Sequence, residues 1–468
     1  MMWKFDRFGD QPAVLDEYGQ SLTYAQLARE GRALCQAAGG RCLVIQVCQN
    51  TLGSFLGYAA FLEGGIVPAM LGTDTDPQAF DVLYEAYAPK YLWVPEGFRR
   101  GGCMAMYKRF GYELLATPFG DKAELHPDLA LLLTTSGSTG SPKFVRQSYG
   151  NIRANTGSIV QYLELANQDR PITTLPMNYT YGLSIINSHL DVGAALLLTD
   201  KGIAQKEFWG FFKAQGATSF GGVPYTYEML DRMRFTRMDL PSLKVMTQAG
   251  GKLLPALHEK LARWCQETGR RFIVMYGQCE ATARMAYLPW EQSLKKAGAM
   301  GVAIPGGRFE LIDAQGQVIT QPGVTGELRY YGANVTLGYA ESAADLSLGD
   351  ERGGVLDTGD MAQMDEEGCF TIVGRKKRFL KIFGNRVNLD EAERLLKAAF
   401  PEADEACAGN DDQLYLFATQ EELLPKLRSH LIEKTGLNPA AFLARAIPGI
   451  PKNDAGKTLY KELEQYYD

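Results

Sequence analysis

Short apolar runs alternate along the chain with longer, helix-like stretches that mix apolar and polar residues. The apolar runs predict buried strands, for example Cys42–Val47, Leu129–Thr134, Ala194–Leu198 and Phe272–Met275. The mixed stretches predict helices, for example Tyr24–Ala38, Pro255–Glu267 and Leu389–Ala399. Strands that alternate with helices are typical of α/β proteins, in which helices cover both faces of a sheet. The pattern therefore predicts an α/β fold.

The composition is that of an ordinary globular protein: 468 residues, 46% hydrophobic and 22% charged. The length is enough for roughly two to four domains. The net charge of −6 argues against a nucleic-acid partner, because phosphate backbones favour an excess of Lys and Arg. No apolar run reaches the ~18 residues of a membrane span, and the start of the chain lacks an apolar signal-peptide core. We expect a cytoplasmic protein with no membrane span.

Cysteine and histidine make little contribution to the predicted chemistry. The eight cysteines are scattered without a C-x-x-C pair, and the four histidines lie far apart without an H-E-x-x-H pattern. A metal cluster and a disulfide framework are therefore not expected.

A loop of hydroxyl residues and glycines directly follows the predicted strand Leu129–Thr134. The loop consists of Thr135, Ser136, Gly137, Ser138, Thr139, Gly140, Ser141 and Pro142, and it ends at Lys143. Glycines let backbone N–H groups turn toward an anion, while hydroxyls and the ammonium add donors. The loop is therefore interpreted as a polyphosphate-binding loop, and the alternative is a flexible surface loop. It is not a Walker A loop, because Pro142 stands where that pattern requires Gly before Lys. The chain also lacks a G-x-G-x-x-G at a strand–helix junction, so a dinucleotide dehydrogenase is not supported.

Several short motifs follow one another in a fixed order from the N-terminus to the C-terminus. They are Leu22-Thr23-Tyr24, Gly64-Gly65, the loop Thr134–Lys143, Tyr276-Gly277-Gln278-Cys279-Glu280, Gly326-Glu327-Leu328, Gly338-Tyr339, Thr358-Gly359-Asp360, Gly374-Arg375 and Pro451-Lys452 with Gly456-Lys457. In this order and over nearly its whole length, the chain resembles the adenylate-forming superfamily of acyl-CoA synthetases, peptide-synthetase adenylation domains and luciferases. Each motif alone is a weak signal, and their collinearity carries the resemblance.

The resemblance implies that a carboxylate attacks the α-phosphorus of ATP and that pyrophosphate leaves. The loop from Thr135 to Lys143 would bind the β- and γ-phosphates, Glu280 would help to bind Mg²⁺, and Lys457 would compensate charge at the α-phosphate. The resemblance also implies a catalytic role for Thr135. The remaining implied nucleotide contacts are Gly250, Gly251, Tyr276 at the adenine, Gly277, Cys279 in place of the usual Thr, and Asp360 with Arg375 at the ribose.

The resemblance also implies two domains and two reactions. A large N-terminal domain of sheets covered by helices, residues 1–376, would hold ATP and the acyl pocket. A small, mobile α/β domain, residues 377–468, would carry Lys457 and swing about a hinge at Lys377. The stretch from Lys381 to Gly384 would then line the approach of a thiol. The alternative for Lys377 is membership of an exposed basic cluster.

The segment Asn178, Tyr179, Thr180 and Tyr181 resembles the acyl-pocket pattern of the acyl-CoA ligases. Amino-acid-activating relatives usually carry an Asp where this chain has Thr180, and a buried ammonium without a counter-charge is costly. We therefore expect a carboxylic acid without an α-amine, aliphatic or aromatic. The acceptor would be a pantetheine thiol, on coenzyme A or on a carrier protein. The alternatives are a catalytically silent nucleotide-binding scaffold, an amino-acid-activating enzyme, and a different ATP-consuming enzyme such as a kinase.

Overall fold

The structure is a computed structural model that describes residues 2–134, 143–382, 385–410, 413–452 and 458–467. The side chains of Lys377, Phe379, Lys381, Asn385 and Arg386 lie outside the description. The α-helices of the described residues are α1 (Tyr24–Ala38), α2 (Leu52–Gly64), α3 (Pro77–Tyr87), α4 (Tyr149–Leu163), α5 (Thr180–Asp191), α6 (Lys206–Ala214), α7 (Pro224–Arg232), α8 (Pro255–Glu267), α9 (Leu389–Ala399), α10 (Leu424–Thr435) and α11 (Tyr460–Leu463).

The strands in the first half of the chain are β1 (Pro12–Asp16), β2 (Ser21–Thr23), β3 (Leu43–Cys48), β4 (Val67–Gly72), β5 (Tyr91–Pro95), β6 (Met104–Arg109), β7 (Tyr112–Ala116), β8 (Leu129–Thr134), β9 (Phe144–Ser148), β10 (Leu196–Leu198) and β11 (Ser219–Gly222). Those in the second half are β12 (Val245–Gln248), β13 (Arg271–Tyr276), β14 (Ala286–Tyr287), β15 (Val302–Ala303), β16 (Gly307–Ile312), β17 (Val318–Ile319), β18 (Gly326–Gly332), β19 (Gly338–Ala340), β20 (Val355–Met364), β21 (Phe370–Arg375), β22 (Phe379–Ile382), β23 (Asn385–Asn388), β24 (Glu405–Gly409), β25 (Leu414–Ala418) and β26 (Phe442–Ala446).

Local sequence signals explain why the predicted helices begin and end where they do. The side chain of Thr23 accepts a hydrogen bond from the backbone of Gln26, whose side chain accepts in return from Thr23, and this capping box starts α1. Gly39 ends the same helix in the left-handed conformation, with φ 75°. Asn388 caps α9 by accepting from two backbone N–H groups, and a proline opens α8 at Pro255.

Contacts divide the chain into two compact units. The first unit contains Met1–Arg308 and Tyr330–Leu356, and the second contains Phe309–Arg329 and Asp357–Asp468. The predicted domain boundary between residues 376 and 377 is based on the hinge expected at Lys377. Both the boundary and the hinge stay predictions.

The first unit is built on an eight-stranded sheet of order β19-β9-β8-β4-β3-β5-β7-β6. Its centre is parallel, since β3 pairs in parallel with β4 and β5, and β4 with β8. Helix α2 packs on this centre with every residue from Leu52 to Leu62 buried, as expected for a helix covered all round. A second sheet, of order β11-β12-β13-β14-β15, and a small sheet, of order β10-β1-β2, complete the unit.

The second unit contains a five-stranded sheet of order β17-β16-β18-β20-β21, the hairpin β22-β23 and the sheet β24-β25-β26. One hydrophobic cluster joins Leu380, Leu396, Leu416 and Phe442, and a neighbouring one joins Phe417 to Leu463. Both clusters consist only of residues from position 380 onward. The C-terminal part of this unit therefore has a core of its own.

The predicted α/β fold is confirmed, and so are the three helices and the strand Leu129–Thr134, whose bounds agree residue for residue. The strand predicted from Cys42 lies one residue further along, and the one predicted over Phe272–Met275 is longer by one residue at each end. The strand predicted from Ala194 was wrong at its start. The backbone N–H of Ala194 donates to His189 O and so closes α5, and Leu196 is the first residue to pair with β1.

No helix among the described residues is long and apolar enough to cross a membrane. Within the same ranges, no group of three or more His, Cys, Asp or Glu side chains is arranged to hold a metal ion.

Candidate active site

Strand β19 brings together two predicted site residues that are far apart in the sequence. Lys143 directly precedes β9, and β19 pairs antiparallel with β9 so that Tyr339 lies opposite Val145. The Lys143 Nζ atom lies 3.8 Å from the centroid of the Tyr339 ring. On its other side, the Tyr339 hydroxyl donates a 2.7 Å hydrogen bond to Glu280 Oε1. One tyrosine therefore contacts both the predicted phosphate-binding cation and the predicted metal-binding carboxylate.

The main chain of Glu280 is held as firmly as its side chain. Its carbonyl oxygen accepts hydrogen bonds from Thr336 N at 3.0 Å, from Thr336 Oγ1 at 2.9 Å and from Arg352 Nη1 at 3.1 Å. The guanidinium of Arg352 also lies 4.7 Å from the centroid of the Tyr339 ring. Residues of the 334–352 segment thus fix the position of a residue that follows β13.

Burial and, to a smaller extent, the neighbouring Glu280 charge raise the pKa of Tyr339 to about 12. The phenol therefore stays protonated near neutral pH and donates to Glu280. In the described ranges, Glu280 Oε2 accepts no hydrogen bond, so this oxygen is available to a cation. Mg²⁺ is usually bound by one or two carboxylates together with substrate phosphates and water, and Glu280 fits that requirement.

The turn after β13 depends on Gly277. A Cβ at this position would overlap the carbonyl oxygen of Ala283, so only glycine fits where the chain folds back. Next to it, Gln278 Nε2 donates to the Tyr276 hydroxyl at 3.2 Å. Cys279 and Glu280 lie in the short 3₁₀ helix that follows. The turn therefore places Tyr276, Gly277, Cys279 and Glu280 at one end of the second sheet.

The predicted pocket residues lie around the start of α5. The Tyr181 hydroxyl lies 2.8 Å from Thr247 Oγ1, and its ring is buried. A Cβ on Gly250 would lie 2.5 Å from the Tyr179 hydroxyl, so Tyr179 packs directly on the Gly250 turn. Burial raises the pKa of Tyr179 to about 12, with a smaller contribution from Cys279. The structure thus brings Tyr179 close to both the Gly250 turn and the β13 end.

The side chains of two other predicted pocket residues, Thr180 and Asn178, contact residues outside the Gly250 turn. The Thr180 hydroxyl donates to the carbonyl oxygen of Thr282, which belongs to the same segment as Glu280. The side-chain amide of Asn178 faces Gly72, at the end of β4. Gly251 packs toward Pro224, the first residue of α7.

The predicted ribose-binding pair lies in the second unit, where Asp360 and Arg375 are cross-strand partners on β20 and β21. Arg375 Nε lies 3.5 Å from Asp360 Oδ1, and the carboxylate is buried while the guanidinium is largely exposed. The backbone of Asp360 is fixed by its N–H, which donates to Thr358 Oγ1, while that hydroxyl donates to Leu328 O. This places a buried carboxylate beside an exposed cation at one edge of the sheet.

Some predicted residues lie outside the described residues. They are Thr135, Ser136, Gly137, Ser138, Thr139, Gly140, Gly384 and Lys457. The backbone of Lys377 lies in a 3₁₀ turn between β21 and β22, and that of Lys381 lies in β22 opposite Arg386. The roles predicted for all of these residues stay predictions.

Sequence reasoning missed the connecting roles of Tyr339, Thr336 and Arg352. Tyr339 was part of a recognised motif, which was the signal that could have drawn attention to it. Nothing local marks Thr336 or Arg352, because their importance arises from contacts with a carbonyl oxygen distant in sequence.

Comparison with known proteins identifies the family. The family model of the AMP-binding enzymes matches residues 2–340. An indoleacetate–CoA ligase of Aromatoleum aromaticum is 31% identical over 313 residues, covering 64% of this chain and 59% of the relative. An oxalate–CoA ligase of Arabidopsis thaliana is 29% identical over 73% of this chain and 68% of its own.

The o-succinylbenzoate CoA synthetase of Bacillus subtilis, solved with its acyl-adenylate, has the same fold. The TM-score is 0.78 at 22% identity, over 98% of this chain and 97% of that one. The same synthetase has also been solved with ATP and a magnesium ion. Since the family model covers well over half of the chain, the protein belongs to the AMP-binding enzymes, the adenylate-forming superfamily that its motifs resemble.

Proposed function

We propose that this protein is an AMP-forming acid–thiol ligase. In the first reaction the carboxylate oxygen of the acid bonds to the α-phosphorus of ATP, and the bond to the β-phosphate oxygen breaks to release pyrophosphate. In the second, a pantetheine thiol attacks the acyl carbon and AMP leaves. The observation that carries the proposal is the arrangement of Lys143, Tyr339 and Glu280, which places a cation and an available carboxylate oxygen beside one ring.

The first unit would bind the triphosphate and its metal ion. Bound Mg²⁺ would supply positive charge to the phosphate oxygens, and Glu280 would hold it through the oxygen that Tyr339 leaves unused. Lys143 would add a second positive charge at the end of the 135–142 loop, whose hydroxyls and N–H groups would bind the β- and γ-phosphates. Such fixed charges stabilise a transition state in which negative charge accumulates on phosphate.

Three other predicted residues would bind the sugar and complete the reaction. Asp360 would accept hydrogen bonds from the two ribose hydroxyls, and Arg375 would hold the same sugar, which fits their cross-strand placement. Lys457 would contact the α-phosphate during adenylation. Rotation about Lys377 would then remove it and bring Lys381 and Gly384 to the thiol channel.

The acid would be compact and would lack an α-amine. Tyr181 fills the space over β11 so closely that a Cβ on Gly221 would lie 2.8 Å from its hydroxyl, and Tyr179 covers Gly250 in the same way. The Thr180 hydroxyl is committed to a backbone carbonyl and offers no counter-charge for an ammonium. The relatives act on acids as different as oxalate and indoleacetate, and in this chain Tyr179 and Tyr181 are the residues that favour a compact acid.

We place the reaction in the cytoplasm. The eight cysteines are all free thiols, as expected in a reducing compartment. The acceptor is coenzyme A or the phosphopantetheine arm of a carrier protein, and both present the same thiol.

The test is acid-dependent ATP–pyrophosphate exchange across short, medium, long and aromatic acids, with amino acids as a further arm. We expect exchange with compact acids, AMP as the nucleotide product, and thioester formation on addition of coenzyme A or a carrier protein. Lys457→Ala is expected to abolish exchange, while Lys452→Ala, whose Nζ pairs with Asp404 at 2.5 Å, is the matched control. Absence of exchange with every acid would favour a silent scaffold, and ADP as product would favour a kinase.

A further inference from the structure

Three arginines are buried in the part of the chain that the structure describes, and Arg284 differs from the other two in its partners. Arg146 reaches the carboxylate of Glu351, and Arg378 reaches that of Glu393. Arg284 is only 2% exposed, yet it forms no ion pair with a described residue. Because a buried charge without a counter-charge is costly, the Arg284 cation calls for an anionic partner.

The polar partners of the Arg284 side chain are neutral groups. Its Nε donates to Ser184 Oγ at 3.1 Å, and its Nη1 donates to the Tyr162 hydroxyl at 3.0 Å and lies 3.2 Å from Met275 Sδ. Nη2 makes no hydrogen bond to a described residue. Burial raises the pKa of Tyr162 by more than the Arg284 charge lowers it, so this phenol stays protonated and supplies no negative charge. The guanidinium therefore keeps its full charge and one donor nitrogen for a further partner.

Arg284 lies beside the predicted acyl pocket. Its guanidinium is 5.2 Å from the centroid of the Tyr181 ring. Two residues earlier in the chain, the carbonyl oxygen of Thr282 accepts a hydrogen bond from the Thr180 hydroxyl at the start of α5. These two threonines also line a small cavity together with the serine that accepts from Arg284 Nε. The segment from Glu280 to Arg284 thus extends from the proposed metal site to the proposed acyl pocket.

We propose that Arg284 is a specificity residue that forms an ion pair with a second carboxylate of the acid. The inference rests on the proposed function and names its substrate class, a short dicarboxylic acid. One carboxylate is adenylated near Lys143 and Glu280, and the other stays ionised and pairs with Arg284. A guanidinium donates parallel hydrogen bonds to a carboxylate, and Nη2 is available for such a contact. The low exposure of the cation keeps water from weakening this pair.

The first test compares acids of equal carbon number with the wild-type protein. The pairs are malonic with propionic acid, succinic with butyric acid and glutaric with pentanoic acid, at about pH 8, where every carboxylate is ionised. We expect the kcat/KM of pyrophosphate exchange to be at least about a hundredfold higher for one dicarboxylic acid than for its partner, since a site built for a polar group rejects an analogue that lacks it. A smaller preference in every pair would overturn the inference, while the exchange itself would still support the proposed function.

Arg284→Gln removes the charge and keeps a hydrogen-bond donor. For the preferred dicarboxylic acid, we expect kcat/KM to fall about a hundredfold, mainly through a higher KM for the acid, while the KM for ATP changes less than about twofold. Arg146→Gln is the matched control, because it also removes a buried arginine but should affect both acids of a pair by the same factor. If Arg284→Gln keeps the wild-type preference, Arg284 does not bind the second carboxylate and the inference fails.

Arg284→Lys keeps the charge on a shorter side chain. It is expected to shift the optimum among malonic, succinic and glutaric acid toward a longer acid, and it replaces Arg284→Gln if circular dichroism shows that the latter is unfolded. An optimum unchanged from the wild type in Arg284→Lys would contradict the pairing. If no acid of either kind gives exchange with the wild-type protein, the proposed function fails and the inference fails with it.

Discussion

At the scale of single residues, Tyr339 is the contact between two opposite charges. Its ring lies against the Lys143 ammonium, and its hydroxyl orients Glu280 by donating to one carboxylate oxygen. The Tyr339 hydroxyl therefore binds Oε1 of Glu280 and leaves Oε2 available to a cation.

Tyr339→Phe retains the ring and removes this hydrogen bond. Because Glu280 would then rotate between alternative orientations, we expect a higher Mg²⁺ requirement and about a tenfold lower rate of pyrophosphate exchange at limiting Mg²⁺. The measurement is a magnesium titration of the exchange rate. Tyr107→Phe, at a half-buried site on β6 of the same sheet, is the control. An unchanged magnesium dependence would remove Tyr339 from the proposed metal site.

Tyr179 is the residue predicted to limit the length of the acid. Tyr179→Ala removes the ring that covers Gly250, so acids longer by several carbons are expected to gain about tenfold in kcat/KM relative to short ones. The measurement is exchange over a series of straight-chain acids. Tyr179→Phe keeps the ring and should keep the wild-type profile. An equal change in kcat/KM for all acids in Tyr179→Ala would show that the ring does not limit the chain length of the acid.

Thr180→Asp is a poor probe of the same pocket. The Thr180 hydroxyl donates to Thr282 O, and a carboxylate there would place an acceptor against an acceptor. A loss of activity would therefore report on this contact as much as on the acid.

At the scale of elements, packing of β24 against α9 creates a pH-sensitive contact. Burial raises the pKa of Glu405 to about 7, while Lys397 on α9 opposes the rise and Glu393 and Asp404 add to it. The folded protein therefore binds a proton that the unfolded chain, with a lower pKa, has already lost. The contribution of this proton to the free energy of unfolding falls as pH rises from about 4.5 through about 7. Above that range the contribution is lost.

Glu405→Gln is expected to remove this dependence and to stabilise the second unit at pH 8 by on the order of 2 kcal/mol, with little effect at pH 5. The measurement is denaturant unfolding at both pH values, followed by far-ultraviolet circular dichroism. All five tryptophans (Trp3, Trp93, Trp209, Trp264 and Trp290) lie in the first unit, so their fluorescence is an internal reference that the variant should leave unchanged. Equal stabilisation at both pH values would contradict the titration of Glu405.

The elements also show what sequence reasoning can predict. Helices α1, α8 and α9 were predicted to the residue, because caps, prolines and glycines are local signals. The pairing of β9 with β19 could not be predicted, since it joins residues distant in sequence through hydrogen bonds that have no local signature. The contacts of Lys143 and Glu280 with Tyr339 depend on that pairing, and so they were missed, although each residue was named.

At the scale of the whole molecule, the proposed function requires rotation at Lys377. Lys377→Pro fixes φ near −65°, a value compatible with the 3₁₀ turn at position 377 itself, and disfavours the helical conformation of Lys376, the first residue of that turn. We expect one half-reaction to proceed near the wild-type rate and the other to slow by more than about tenfold. The measurement is pyrophosphate exchange beside thiol transfer from preformed acyl-adenylate. Equal effects on both would argue against a pivot at this residue.

The edge position of β19 in the eight-stranded sheet affects how the protein folds during translation. In the part of the chain that the structure describes, β19 is an edge strand of this sheet and pairs with β9. Until residue 340 has been synthesised, β9 presents an unpaired edge that other nascent chains can extend. Expression of fragments that stop before β19 should therefore yield aggregates, and a pause in translation shortly before that point should favour misassembly over native folding.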